Sequence, residues 1–390
     1  MIRILAPMGS RSFFGAERAN VDLLRRMQQK GAVVKCLVRH EDWPENMVMR
    51  QALSDCSLAW QKATFPDYPT IRYWPYWPKV AVETPLRYIA LNRLALRMIR
   101  DERITHVHLH NPFQAASLHA AIERSGVALI YRCGESPAVH NVFYRHVWSW
   151  LTRRAERFVT ESDFVRAQML DLGVADSKTR LIRTPPPARV LAARFSSPFL
   201  TLESEAKSIF CFVGQLTEAK GVTILLQAFA LLRGSFPTAK LMLAAPIQND
   251  FGRQLVSKWS AGPHASSIVF LGSVEDIPGL LKVCHVHVDP SVRPESYGLV
   301  SVEAKEAGLP SIVFAQGGLG ELVEDGRDGI ALTEKTPRAL AGAMLTYCRD
   351  PARAKADGTR ARESLTHRLH IHRHDDSWLD VYNQTLRDER

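Results

Sequence analysis

Short apolar runs recur along this chain, each followed by a stretch of helical period, and the recurrence breaks once. In the first half the runs are Ile2–Ala6, Val33–Val38, His106–His110, Ala128–Arg132 and Phe158–Thr160. In the second they are Ile209–Val213, Lys240–Ala245, Ile268–Leu271, His285–Asp289 and Ser311–Phe314. Helical stretches separate them, among them Ala16–Gln29, Val222–Arg233 and Leu299–Ala307. Strands alternating with helices predict parallel sheets covered on both faces. Leu181–Lys207 lacks periodicity and carries Pro185, Pro186 and Pro187, so it reads as a linker. At 390 residues the chain is too long for one ordinary core. The expected class is α/β, with two doubly wound, Rossmann-like domains facing a central cleft. Their bounds are 1–183 and 208–372, with a linker at 184–207 and a last helix in 373–390 that folds back on the first domain. Ligands of such sheets bind at the carboxyl ends of the strands.

The most informative stretch is Pro290–Gly320, which follows the strand ending at Asp289. Glu295 and Glu303 stand eight positions apart across Tyr297–Gly298, with a helix expected from Leu299. A helix that opens after a glycine turn offers unpaired N–H groups and a positive dipole end to an anion. Glu303 lies about 6 Å along the axis from that end. Carboxylates only accept hydrogen bonds, which suits vicinal hydroxyls. A phosphate-binding helix end between two hydroxyl readers fits a sugar nucleotide.

Other segments extend this reading. Phe212–Phe229 (FVGQLTEAKGVTILLQAF), Phe270–Leu281 (FLGSVEDIPGLL) and Gly317–Gly326 (GGLGELVEDG) follow in order, and Phe14–Arg18 (FGAER) opens the first long helix. Together with the Glu295/Glu303 pair these segments resemble glycosyltransferase family 4, retaining transferases of the GT-B fold. The resemblance is strong over 209–333 and patchy over 1–183. It implies a nucleoside-diphosphate-sugar donor, held by Gly15, Gly214, Gln215, Lys220, Glu295, Tyr297, Gly298, Leu299 and Glu303. It assigns catalysis to Glu295 and Lys220, the sugar to Glu295 and the ribose to Glu303. The product would be a glycan or lipid-linked glycan, as in polysaccharide and glycolipid biosynthesis. No Asp-x-Asp motif is present, so neither an obligatory metal nor another cofactor is expected.

The chain departs from its family at three points. Gln215 stands where relatives carry arginine, and it brings no charge; Arg293 or Arg11 is a candidate to supply it. Phe14 replaces the first of two glycines. Cys133, in YRCGES, occupies roughly the place of a histidine, which leaves His110, Cys133 and Glu135 as candidates for acceptor binding or general base. Front-face retaining transfer, in which the departing phosphate deprotonates the acceptor, needs no such base.

Each motif has a plainer alternative. Lys220 at a helix start is also an ordinary solvated lysine. Glu17, Glu295 and Glu303 suit helix dipoles. Gly317–Gly318 either closes on the sugar or forms a turn. His106, His108 and His110 share one strand face, where a packed strand end competes with a metal site. The histidines at 367, 370, 372 and 374 read as an exposed polar segment.

The net charge of +10 lies wholly in residues 1–183, which hold 27 Lys and Arg against 17 Asp and Glu. Charge bears on partners rather than fold. An anionic membrane surface, a lipid-linked phosphate and nucleic acid all fit it, but no nucleic-acid motif accompanies it. Leu86–Arg103 carries Arg93, Arg97 and Arg100 on one face, and RYWPYWPK offers Trp74, Tyr76 and Trp77 to a sugar, a membrane interface or its own domain. No run of 18 apolar residues occurs, and the six cysteines form no Cys-x-x-Cys pair, the usage of a reduced compartment. The expected location is cytoplasmic, with peripheral attachment to the inner face of the membrane as a candidate. Two rival classes remain: a non-catalytic, transferase-like binding subunit and a basic nucleic-acid-binding protein.

Overall fold

The computed structural model describes residues 1–9, 13, 15–67, 77–137, 139, 142–187 and 208–388. Phe14, Arg11, the aromatic loop with Trp74 and Tyr76, and most of the expected linker lie outside them. The chain forms two compact units. The first comprises Met1–Glu161, Val165–Ile182 and the chain from Arg373 onward; the second comprises Ser162–Phe164 and Arg183–His372.

The first unit is built on a seven-stranded parallel sheet. Its strands are β1 (Arg3–Met8), β2 (Val33–Arg39), β3 (Ala59–Ala63), β4 (His106–Leu109), β5 (Ala128–Cys133), β6 (Arg157–Thr160) and β7 (Thr179–Leu181), in the order β3-β2-β1-β4-β5-β6-β7. Helices α1 (Gly15–Gln29), α2 (Pro44–Asp55), α3 (Trp77–Asp101), α4 (Pro112–Ser125), α5 (Val142–Arg154) and α6 (Asp163–Asp171) alternate with them. Local chemistry sets the ends of α4: the Asn111 side chain accepts from Phe113 N, Pro112 occupies the first turn, and Gly126 closes the helix at φ 65°.

The second unit has a six-stranded parallel sheet, β10-β9-β8-β11-β12-β13. Its strands are β8 (Ser208–Val213), β9 (Ala239–Ala244), β10 (Ile268–Gly272), β11 (Val286–Asp289), β12 (Ser311–Phe314) and β13 (Gly329–Leu332). Helices α7 (Val222–Ser235), α8 (Asp250–Ser260), α9 (Ile277–Lys282), α10 (Leu299–Glu306), α11 (Gly317–Leu322), α12 (Pro337–Arg349) and α13 (Pro351–His367) cover it. Side-chain alternation along β8 fills both layers. Phe210 and Phe212 pack with Leu225 and Phe229, while Ile209 and Cys211 pack with Leu280 and Leu281. Burial on both faces is why these strands read as continuous apolar runs.

The last helix, α14 (His374–Asp388), belongs to the first unit and packs on β4. Trp378 and Tyr382 are buried there. His106 Nε2 pairs with Thr385 Oγ1 at 2.8 Å, and His108 Nδ1 with Tyr382 Oη at 2.7 Å. His108 Nε2 meets Asn20 Oδ1 at 3.0 Å, and Arg26 of α1 and Lys30 just past its end pair with Asp375 and Asp376. Both strand histidines therefore spend their nitrogens on packing partners. Burial holds His106 down to about 4 and His108 well below the usual range, so both are neutral.

Candidate active site

The second unit brings two of the sequence motifs into direct contact. Lys220 ends a short 3-10 turn, Glu218–Lys220, and its own N–H donates to Thr217 Oγ1 at 3.4 Å. Ala219 O of that turn accepts from Val292 N at 2.9 Å and from Arg293 N at 3.3 Å, in the loop after β11. Gly221 makes this approach possible. It sits at φ 64°, and a Cβ there would lie 1.9 Å from Pro290 O. On its other side the same loop is held by α11. Gly318 N donates to Glu295 O at 2.7 Å, and Cβ atoms on Gly317 and Gly318 would fall 2.5 Å from Glu295 O and 2.1 Å from Ser296 O. Of the two readings of Gly317–Gly318, the close-packed turn is the one observed.

The loop so clamped presents a charged cluster. Lys220 Nζ is ion-paired with Glu295 Oε1, and both are half-buried. Ser291 Oγ stands between Glu295 Oε1 and Asp289 Oδ1, the latter 2.6 Å away; Ser291 N also donates to Asp289 Oδ1, at 3.2 Å. Glu295 thus pairs with the ammonium directly and Asp289 acts on it through its charge. Burial pulls Lys220 down, but the charges of Asp289 and Glu295 outweigh it and leave its pKa raised. Burial and then the Asp289 charge push Glu295 up, against the opposing pull of Lys220 and Ser291. Gly298, at φ 104°, opens α10 just beyond, and Glu303 is buried one turn inside. Leu299 starts the helix and packs on the adjoining core cluster.

Other expected residues fall differently. Gly214 continues the strand ladder through Gly214 N to Ala244 O, and Gln215 is exposed beside it. Arg293 is exposed and has no ion pair among the described residues. Gly15 is exposed at the start of α1. Tyr297 requires a correction as a donor-binding side chain. Its ring is buried against Leu319, Leu322 and Leu369, and its hydroxyl donates to Thr184 O at 2.9 Å, which leaves only its backbone for a ligand.

The three acceptor or base candidates meet in the first unit. His110, Cys133 and Glu135 line one cavity of about 90 Å³, together with Asn111, Tyr131, Tyr144 and Trp148. Two of them are corrected as general bases. Burial pushes the Cys133 thiol far up, which keeps it protonated. His110 is pushed down to about 3, by burial first and then by the Arg132 charge, so a proton taken from a hydroxyl would not stay on it. Glu135 is raised by loss of water and by Glu17, but it stands exposed at the mouth, where solvent damps the effect.

Asp289, Ser291 and Trp148 were not expected to matter. A polar residue ending an apolar strand was a readable signal for Asp289; nothing in the sequence marked Trp148. Among the described residues no group of three or more His, Cys, Asp or Glu is placed to hold a metal ion, and no helix is long and apolar enough to cross a membrane.

A doubly wound pair of units with a lysine–glutamate cluster before a helix N-terminus defines a class, the GT-B-type proteins. Two family models match the chain: Glycosyltransferase Family 4 over residues 14–185 and Glycosyl transferases group 1 over 207–350. The chain belongs to this glycosyltransferase family. It is similar to a glycogen synthase of Mycobacterium tuberculosis, 30% identical over 226 residues that cover 56% of this chain and 52% of that protein. The chain thus spans about half the length of that relative. A lipopolysaccharide core biosynthesis mannosyltransferase, LpcC, of Rhizobium leguminosarum bv. viciae is 24% identical over 75% of this chain and 81% of its own. Among solved structures, Anabaena Alr3699/HepE in complex with UDP and glucose aligns at TM-score 0.78 and 18% identity, covering 98% of this chain and 100% of that one. The sucrose-phosphate synthase of Thermosynechococcus elongatus aligns at TM-score 0.75 and 17% identity, covering 100% of each chain. These likenesses establish the fold.

Proposed function

We propose that the chain is a retaining glycosyltransferase that moves a sugar from a nucleoside-diphosphate donor to a hydroxyl of a glycan or lipid-linked glycan. The observation that carries this is the Lys220–Glu295–Asp289 cluster, clamped between two glycine-dependent turns at the mouth of α10. Lys220 is charged at neutral pH and suits the leaving diphosphate, which would displace Glu295 from it. Glu295, released, accepts from the donor sugar's hydroxyls, and Glu303 from the ribose. The protein neighbours solved with UDP and with UDP-glucose make UDP-sugars the first donors to try.

Chemically, the bond from C1 to the phosphate oxygen breaks and a bond from C1 to the acceptor oxygen forms on the same face. The acceptor's proton leaves with the phosphate. That route suits a chain in which Cys133 stays protonated and His110 is not basic. No step calls on a metal, and donor binding is expected to survive chelation by EDTA. The test is incubation with UDP-, GDP- and ADP-sugars and a set of glycan acceptors. The reading expects release of nucleoside diphosphate, a new linkage with the donor's anomeric configuration, and loss of both in Glu295→Ala.

The loss of the family's histidine at Cys133 also favours a second reading, a binding subunit without turnover. Donor binding with no nucleoside diphosphate released under any acceptor would select it. We also place the protein at an anionic membrane surface. Helix α3 exposes Leu86 and Ile89 on the same outward stripe as Arg93, Arg97 and Arg100, while Leu91, Ala95 and Met98 are buried. Co-sedimentation with anionic but not neutral vesicles is the expected result; equal recovery with both would remove the membrane from the account.

A further inference from the structure

The cavity of the first unit contains two hydrogen-bond donors that have no partner among the described residues. Trp148 is 3% exposed and its Nε1 is unpaired; the indole N–H can only donate. His110 is 9% exposed and its Nδ1 is unpaired. The proton on His110 can be located from its neighbour. Gln114 Oε1 accepts from His110 N at 3.1 Å, which turns the amide Nε2 toward His110 Nε2, also at 3.1 Å. The amide donates, so the imidazole Nε2 accepts. The neutral ring then carries its proton on Nδ1. His110 is neutral because burial and Arg132 hold it down. Each of these buried side chains therefore has one unanswered N–H, and both line the same cavity.

The remainder of the lining decides what answers them. Tyr131, Tyr144 and Phe113 supply apolar ring surface, with Tyr131 edge-on to Trp148 at 5.3 Å and Phe113 edge-on to Tyr144 at 5.5 Å. Among the described residues no lysine or arginine lines the cavity. Arg132, next to Cys133 of the lining, is buried in an ion pair with Glu161. The ionisable acid of the lining, Glu135, stands at the mouth and repels anions. Neutral donors, aromatic walls and one carboxyl acceptor match a ring bearing hydroxyls; they do not match a phosphate or a carboxylate.

We propose that this cavity binds the uncharged, hydroxylated ring of the acceptor, a pyranose or cyclitol, through His110 Nδ1–H, Trp148 Nε1–H and Glu135, and discriminates against the phosphorylated form of the same ring. The word acceptor rests on the glycosyl-transfer reading; binding of the ring does not.

The test is ligand-observed saturation-transfer NMR on the full chain without donor, with affinities from titration. The probes are myo-inositol, glucose, mannose, galactose and N-acetylglucosamine, beside myo-inositol 1-phosphate, glucose 6-phosphate and mannose 6-phosphate. At least one neutral ring is expected to bind, and each phosphate more weakly than its parent. Trp148→Phe keeps the ring and removes the N–H, so it should weaken binding roughly threefold to tenfold. Glu135→Gln, at an exposed position that tolerates change, should narrow the gap between neutral and phosphorylated rings. A phosphate that binds tighter than its parent overturns the proposal. So does a cooperatively folded protein that binds no member of the panel, or wild-type affinities in both variants. Nucleotide binding, measured separately, decides the transfer reading, so the two fail independently.

Discussion

Lys220 is ion-paired with half-buried Glu295 and feels the charge of buried Asp289, and that arrangement makes the cluster's chemistry testable one residue at a time. Replacing it by methionine removes the only cation of the cluster among the described residues and leaves Glu295 and Asp289 joined through Ser291. Lys220→Met is expected to weaken nucleoside-diphosphate binding about tenfold to a hundredfold, the size of a lost charge-assisted contact, in a calorimetric titration. Unchanged affinity would mean the diphosphate sits elsewhere. Asp289 gives a sharper prediction. Its charge is one reason Glu295 is raised, so the acid limb of wild-type donor affinity is expected above Glu295's ordinary value. With Asp289→Asn, Glu295 stays ionised to lower pH, and the acid limb should move down. An acid limb that stays in place would separate Asp289 from the site.

Between residues and the molecule, the elements explain what the sequence made legible. The ten strands expected from apolar runs are all present, and each is covered on both faces or nearly so. The three unexpected strands, β3, β7 and β13, all lie at sheet edges. Edge strands are short and partly polar: AWQKA of β3 is largely exposed, so it has no apolar pattern to read. Lys220 and Glu295 were legible because both stand within three residues of a glycine in strand–loop–helix contexts. Asp289 carried a signal, a polar end to an apolar strand, but its partnership with Ser291 did not, because it arises only when the loop folds back on the strand end. Tyr297 misled because an aromatic beside a glycine turn looks like a ligand platform, yet that position turns its ring into the core. The donor state of His110 depends on which way Gln114 points, which no sequence pattern encodes.

The glycine at 221 carries a prediction at this scale. Gly221→Ala would adopt a left-handed conformation with a Cβ inside the contact distance of Pro290 O. A cost of about 2–4 kcal/mol is expected from the backbone and steric terms together. Chemical denaturation should report it, along with weaker nucleotide binding, because the same clamp holds Glu295. An alanine variant of wild-type stability would show that the turn does not press on the loop.

For the whole molecule, the chain's first unit includes its own C-terminus, and α14 is fastened there by buried neutral histidines. Unfolded, those histidines titrate near 6.5. Folded, His106 is held at about 4, and burial also holds His108 well below its ordinary value. Between these values the unfolded chain binds more protons than the folded one, so stability falls as pH falls. His106 alone amounts to roughly 3 kcal/mol lost between pH 6.5 and 4. The melting temperature should be level above pH 7 and drop steeply below 6; a level profile down to pH 4.5 would mean the histidines are not buried as described.

The central claim is that the second unit binds a sugar nucleotide at the mouth of α10. Its most direct test is a thermal-shift titration of the purified chain with UDP, GDP, ADP, dTDP and their sugars, first without metal and then with magnesium. Ligand that binds only the folded state raises the melting temperature by mass action. The account predicts a selective rise with one nucleotide, present without metal and lost in Glu303→Ala. A folded protein that shifts with none of them, or a rise that Glu303→Ala leaves intact, would contradict it.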